Sequence, residues 1–212
     1  MERNVITGIA HDKNEAMVTL TQSGSGNVTS GAVVRLRQDP GMTLTIRPAG
    51  AADLPGIAEV GARTWPATYL SFAGAEYVER NLAAYWSPAA LERALAEALL
   101  LLVAVDDGEV VGVVEVGEHD GVPTMWRLYV LPDRHGGGVG TALLDAAVAA
   151  LPPGTTALLT EYTAGNDRAA RWYAARGFVE TGRDPGAGGL DVVWLRLSLP
   201  RWGRRATASR CA

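Results

Sequence analysis

Leu128-Tyr129-Val130-Leu131-Pro132-Asp133-Arg134-His135-Gly136-Gly137-Gly138-Val139-Gly140-Thr141 is the stretch on which the reading of this chain turns. Apolar residues lead into a proline-containing turn, glycines crowd the positions after His135, and Leu143, Leu144, Ala147, Val148 and Leu151 then share one helical face. Glycine permits positive φ and lets an anion reach main-chain N–H groups without obstruction by a Cβ atom. The helix beyond adds unpaired amides and the positive end of its dipole. A strand, a turn and a glycine-packed helix start, in that order, predict a phosphate cradle.

Outward from this unit the pattern is of mixed type. Thr43–Arg47 alternates as a strand, and Asp53 predicts a cap for a helix through Ala62 with Pro55 in its first turn. A second helix is expected around Ala75–Ala84, and Ser87-Pro88 starts a third through Ala98. Leu100–Val105 and Val110–Val116 flank Asp106-Asp107-Gly108-Glu109 as a hairpin, and Thr124–Leu131 is the next strand. Pro152-Pro153-Gly154 stops the cradle helix. Ala157–Tyr162 reads as a strand, and Asn166–Arg176 as a helix ended by Gly177. Phe178–Thr181 and Val192–Leu199 close the pattern as a hairpin.

The chain has 212 residues, 48% hydrophobic and 20% charged, with a formal net charge of −4. That composition excludes wholesale disorder, and the charge implies no nucleic-acid partner. Residues 1–41 are expected to be a flexible extension, because their middle is small and polar. Residues 42–200 form one folded domain, and the arginine-bearing 201–212 a basic flexible tail. Cys211 has no partner for an internal disulfide and no ligand company for zinc, so no metal is expected. The apolar run Ala98–Val105 is far short of the ~20 residues of a spanning helix. The first residues have no apolar core of secretory type. These features predict a cytoplasmic protein with no membrane partner, and they leave a homodimer open.

Two phosphate-binding readings of the glycine run can be compared. A P-loop is excluded, since no Gly-Lys-Ser/Thr follows. A dinucleotide fold needs Gly-x-Gly-x-x-Gly and an acid about 20 residues on. Glu161 lies at about that distance, but Thr141 falls where Gly or Ala permits close helix–strand packing. A nucleotide-binding oxidoreductase is therefore the strained alternative.

The same residues resemble the GCN5-related N-acetyltransferase (GNAT) superfamily over roughly Leu44 to Leu199. The family's acetyl-CoA signature is Gln/Arg-x-x-Gly-x-Gly/Ala after a Leu-Tyr-Val strand. Here Leu128, Tyr129 and Val130 match the strand, and His135, Gly136, Gly137, Gly138, Val139 and Gly140, followed by Thr141, occupy the loop. His135 departs from the family's Gln or Arg, which implies retuned rather than abolished donor binding. Asn166-Asp167-Arg168-Ala169-Ala170-Arg171-Trp172-Tyr173-Ala174-Ala175-Arg176-Gly177-Phe178 resembles the family's second segment. The resemblance implies a mixed α/β domain whose mostly antiparallel twisted sheet splays at a parallel strand pair, with helices on both faces. It also implies acetyl-CoA as co-substrate and transfer to a primary amine of a small molecule or a peptide. A non-catalytic acyl-CoA-sensing module is the rival reading from another class.

Transfer from a thioester to an amine defines the remaining candidates. The resemblance implies Asn166 at the pantetheine chain, Val130 N–H at the thioester carbonyl, and Tyr173 as the acid for the departing sulfur. Glu161 is favoured as the base, in the Glu…Asn…Tyr order of the ribosomal-protein N-terminal acetyltransferase branch, with Glu115 as its rival. Thr64, Trp65, Tyr69, Tyr77, Tyr85 and Trp86 precede the hairpin and read either as packing or as a wall for a cationic amine. Arg127 and Tyr129 share a strand face by period two, so either can line the acceptor side.

Overall fold

The computed structural model describes residues 34–36 and 44–200, which form one mixed sheet with helices on both faces. In chain order the elements begin with strands β1 (Val34–Leu36) and β2 (Leu44–Pro48). Three helices follow: α1 (Leu54–Ala73), α2 (Ala75–Tyr85) and α3 (Pro88–Glu97). Strands β3 (Leu100–Asp106), β4 (Glu109–His119) and β5 (Val122–Val130) then lead to helix α4 (Val139–Ala150). Strand β6 (Ala157–Thr163), helix α5 (Asp167–Ala174) and strands β7 (Val179–Pro185) and β8 (Asp191–Ser198) complete the domain. The order across the sheet is β1-β2-β3-β4-β5-β6-β8-β7. Every neighbouring pair is antiparallel except β5 and β6, which run parallel.

Strand β1 pairs with β2 inside the segment read as a flexible extension, and the sequence reading contains no such strand. The rest of 1–33 and 37–43, and the tail 201–212, lie outside the described residues.

Burial concentrates on the central strands, where Val103, Val113 and Val114 are fully covered. Helix α4 packs on this centre at close range. A Cβ on Gly112 would stand 3.0 Å from both Leu143 and the Tyr129 carbonyl, so glycine sets the approach of helix to sheet. Leu143 is fully buried there, and a side chain of its kind contributes roughly 1.5–3 kcal/mol by leaving water. On the opposite face, Gly61 of α1 makes room for the Trp86 ring, whose atoms lie 2.1 Å from where a Cβ would stand.

Two expectations about α1 need correction. The helix does not end near Ala62 but runs to Ala73, through Pro66. Proline removes the donor for the Ala62 carbonyl. Buried Trp65 and Tyr69, one turn apart, hold the remainder on the core, and the Thr64 hydroxyl donates to the Val60 carbonyl at 2.6 Å. Nor does the Asp53 side chain cap α1. Its carboxylate accepts from Arg47 at 2.7 Å and from the Gly50 N–H at 2.8 Å, closing the short turn before the helix. The Ser87 side chain likewise makes no cap bond, although α3 begins at Pro88 as expected.

Candidate active site

Past Met125 the parallel ladder stops. β5 and β6 are in register only at Thr124 with Leu159 and Met125 with Thr160, where the Thr160 hydroxyl donates to the Met125 carbonyl at 2.8 Å. At the same point the β4–β5 ladder bulges: Glu115 faces Arg127 and Val116 faces Met125, leaving Trp126 as the extra residue. Beyond it β5 and β6 separate, and a cavity of about 510 Å³ lies against both strands.

One end of the cavity is built by the turn after β5. Arg134 pairs with buried Asp106 at 2.8 Å, and Arg63 with Asp133 at 3.1 Å, so the turn is pinned from two sides. Gly136 and Gly138 take left-handed φ of 84° and 75°, a region that favours glycine. Gly138 is the N-cap of α4 and no side chain caps this helix. The first helical bond recorded there runs from Ala142 N–H to the Gly138 carbonyl. The amides of Val139, Gly140 and Thr141 are thus left without partners inside the helix, and all three residues line the cavity. Gly140 lies against Trp172, 3.5 Å from where its Cβ would stand. Arg176 stacks on that indole at 3.7 Å and donates to the Thr141 hydroxyl, joining α5 to the cradle helix. Arg134, Arg168 and Arg176 give this end positive charge.

The middle of the cavity is the gap itself. Leu131 N–H donates to the Val111 carbonyl at 2.9 Å. Alternation in an antiparallel ladder then turns the Val130 N–H the other way, toward the side from which β6 has withdrawn. The Val130 carbonyl is occupied by His135 Nε2 at 2.7 Å. Burial pushes the His135 pKa down, so the ring is neutral at pH 7 and donates through Nε2.

Tyr173 and Glu161 face the same cavity. Asn166 caps α5 as expected, its Oδ1 accepting from Ala169 N–H at 3.0 Å, and Gly177 leaves the helix at φ 83°. One face of α5 then carries Tyr173 inward, where burial pushes its phenol up to about 12. Thr160 stands beside it and works in the opposite direction. Burial also raises Glu161, with His119 opposing and Asp184 adding to the rise. Tyr69, buried, and Tyr129, half-buried, both with phenols raised by desolvation, complete the floor with Thr64 and Thr68.

The cavity lining therefore brings together Leu128, Tyr129, Val130, His135, Gly136, Gly138, Val139, Gly140, Thr141, Glu161, Asn166 and Tyr173. Gly137 and Glu115 are not part of it. Glu115 is buried and ion-paired with Arg127. Arg127 also donates to the Tyr85 carbonyl and lies 5.3 Å over Trp86. Of the early aromatic residues, Tyr69 lines the cavity, whereas Trp65 and Trp86 are buried and pack around Tyr129 at 6.2 and 5.1 Å. Sequence reasoning did not single out Trp126, Arg168, Trp172 or Arg176 as site residues. The last three were legible, since 168, 172 and 176 recur one helical turn apart on the face that carries Ala169 and Tyr173.

A splayed parallel pair with an uncapped helix start at its mouth leaves free main-chain amides beside an open gap. Residues 97–180 match the family model of the acetyltransferase (GNAT) domain. The fold is shared with the PaiA N-acetyltransferase of Thermoplasma acidophilum, solved with coenzyme A, at 22% identity and a TM-score of 0.61 over 71% of this chain and 97% of that one. It is shared too with the ribosomal-protein alanine N-acetyltransferase of Escherichia coli, at 21% identity and a TM-score of 0.59 over 76% and 97%. The corresponding Brucella melitensis enzyme is 25% identical, with a TM-score of 0.51 over 73% and 99%. A search of curated proteins finds no match to the chain. The fold is thus that of the GNAT acetyltransferases, and residues 97–180 carry the match to their domain. Among the described residues no cluster of three or more His, Cys, Asp or Glu is arranged for a metal ion, and no helix is long and apolar enough to cross a membrane.

Proposed function

We propose that the protein transfers the acetyl group of acetyl-CoA to a primary amine of a small molecule or a peptide. The observation that carries this reading is the convergence on one cavity of three unpartnered helix amides, a protonated phenol and a carboxyl group raised by burial.

The donor supplies an activated acetyl group as a thioester, and the chain supplies everything else. The amides of Val139, Gly140 and Thr141 hold the diphosphate, since each is a donor with no helical partner and no Cβ crowds Gly140. Asn166 fits the pantetheine chain. The Val130 N–H is aimed at the place where negative charge develops on the carbonyl oxygen, and its orientation is preset by the β4–β5 ladder. Glu161 accepts the proton of the attacking ammonium, whose pKa is near 10 when lysine-like, directly or through water. Tyr173, still protonated at pH 7, donates to the departing sulfur, whose parent thiol has a pKa near 8.5. Residues 42–200 are the catalytic unit in this reading, and the cytoplasm is its site of action.

Two measurements test it together. Saturating acetyl-CoA should protect the protein against thermal unfolding by about 2.7 kcal/mol at one hundred times its Kd, and NAD(H) should not. A panel of primary amines should release CoA thiol. Protection by NAD(H) alone would return the glycine run to the oxidoreductase reading. Donor protection without thiol release from any amine would make the protein a sensor.

A further inference from the structure

Trp126 lines the cavity but has no part in the transfer chemistry above, and it sits in a cluster with Trp194 and His119. Trp126 and Trp194 meet edge to face, with centroids 6.0 Å apart and planes at 77°. His119 stacks on Trp194 at 4.9 Å and 18°, and meets Trp126 edge-on at 5.9 Å. The Trp194 Nε1–H donates to Asp184 at 2.8 Å. Gly117 leaves space under Trp126, because a Cβ there would stand 2.9 Å from the indole nitrogen. The Trp126 indole is therefore braced by β4 and β8, yet it remains 37% exposed and lines the cavity. A large apolar surface held rigid and left uncovered within a cleft is suited to a ligand.

Charge narrows what that ligand is. Among the described residues lining the cavity, Glu161 is the one carboxylate, and the arginines belong to the glycine-loop end. Glu161 is also the cross-strand neighbour of Trp194, so carboxyl and aromatic wall share one face of the sheet. This end of the cavity accommodates one ammonium and an apolar surface. A second ammonium would find no second carboxylate in the lining, because Asp184, which also acts on Glu161, accepts from the Trp194 indole outside it.

Resting on the acetyl-transfer reading above, we infer that Trp126 determines acceptor specificity, and that the acceptor is a monocationic primary amine with an apolar body. The nitrogen faces Glu161 and the apolar body lies flat on the Trp126 indole. Polyamines should be poorer acceptors than such monoamines, since Glu161 is the one carboxylate among the described residues lining the cavity.

Phenethylamine and methylamine, one with and one without an apolar body, separate this from other readings. Trp126→Ala should raise KM for phenethylamine at least tenfold with kcat within about twofold, and alter methylamine turnover little. Trp126→Phe should restore most of the phenethylamine KM, and acetyl-CoA protection of both variants should match the wild type, showing that they fold. Equal effects on the two amines, or a preference of the wild type for spermidine over phenethylamine, would overturn the inference and leave acetyl transfer standing. Calorimetry of phenethylamine with the CoA-bound protein supplies the complementary reading. Binding that is lost in Trp126→Ala, with no thiol released from any amine, would uphold the surface and overturn transfer. Absence of both binding and release would overturn the two together.

Discussion

The imidazole Nε2–H of His135 donates to the carbonyl oxygen of Val130 across 2.7 Å. The residue at which the glycine run departs from the GNAT pattern it resembles is thereby the one that ties this loop back to the strand presenting the Val130 N–H. Its role is to position the loop from within the protein: one ring nitrogen is committed to the main chain, and burial keeps the ring neutral.

That bond has a pH signature. The folded state lowers the His135 pKa below its unfolded value near 6.5, so the unfolded chain takes up the proton first as pH falls. The stabilisation is complete above the ordinary value and is lost toward the lowered one. Tm measured at pH 7.5 and 5.5 should fall more for the wild type than for His135→Gln, whose amide can keep the bond to Val130 without titrating. Equal falls would remove His135 from the acid response.

Gly138 holds φ 75° at the N-cap of α4. A Val there would be forced from the left-handed region and would turn the following amides out of line. The Kd of acetyl-CoA should rise at least tenfold, about 1.4 kcal/mol, by calorimetry. Unchanged affinity would falsify the cradle.

Tyr173→Phe deletes the phenolic proton and little else, because the ring packs edge-on against Trp172 and Phe178 at 5.2 and 5.1 Å in either case. We expect kcat to fall roughly 10²-fold or more with acetyl-CoA binding nearly unchanged. With the phenol pushed up to about 12, no loss of its proton should limit the rate below pH 10. A fully active variant would remove Tyr173 from the mechanism.

Glu161 carries an energetic cost. Burial raises its pKa, so the folded state holds this proton more tightly than the unfolded one, and stability drops as pH rises through the two values. Glu161→Gln should therefore raise Tm at pH 7 while leaving it little changed below pH 4, and should depress kcat/KM. The acid limb of the wild-type pH–rate profile should lie above the ordinary value of a free glutamate. A variant that gains no stability at pH 7, or that keeps full activity, would count against this assignment.

Glu115 should behave oppositely. Its partner Arg127 is buried with it, and removing one member of a buried pair costs about 3–5 kcal/mol. Glu115→Ala should lose stability of that order in urea, while the folded fraction retains the wild-type dependence of kcat on pH. A shifted acid limb with intact stability would instead make Glu115 the base.

Local chemistry determined much of this protein on its own. The glycines that need left-handed φ, the Asn166 cap, the stop at Gly177 and the hairpin at Asp107-Gly108 each depend on a few neighbouring residues, and so are visible in the order of amino acids. The strand-turn-helix cradle and the helix bearing Tyr173 are of this kind. Contacts across the sheet are different, because the partner is distant in the chain and its register is set by packing. Only the tertiary structure decided that Glu115 meets Arg127 away from the cavity, that Pro66 lies inside a helix held down by Trp65 and Tyr69, and that β1 pairs with β2. The bulge at Trp126 belongs there too. One extra residue between Met125 and Arg127 swings an indole toward the gap beside Glu161, and no periodicity within β5 announces it.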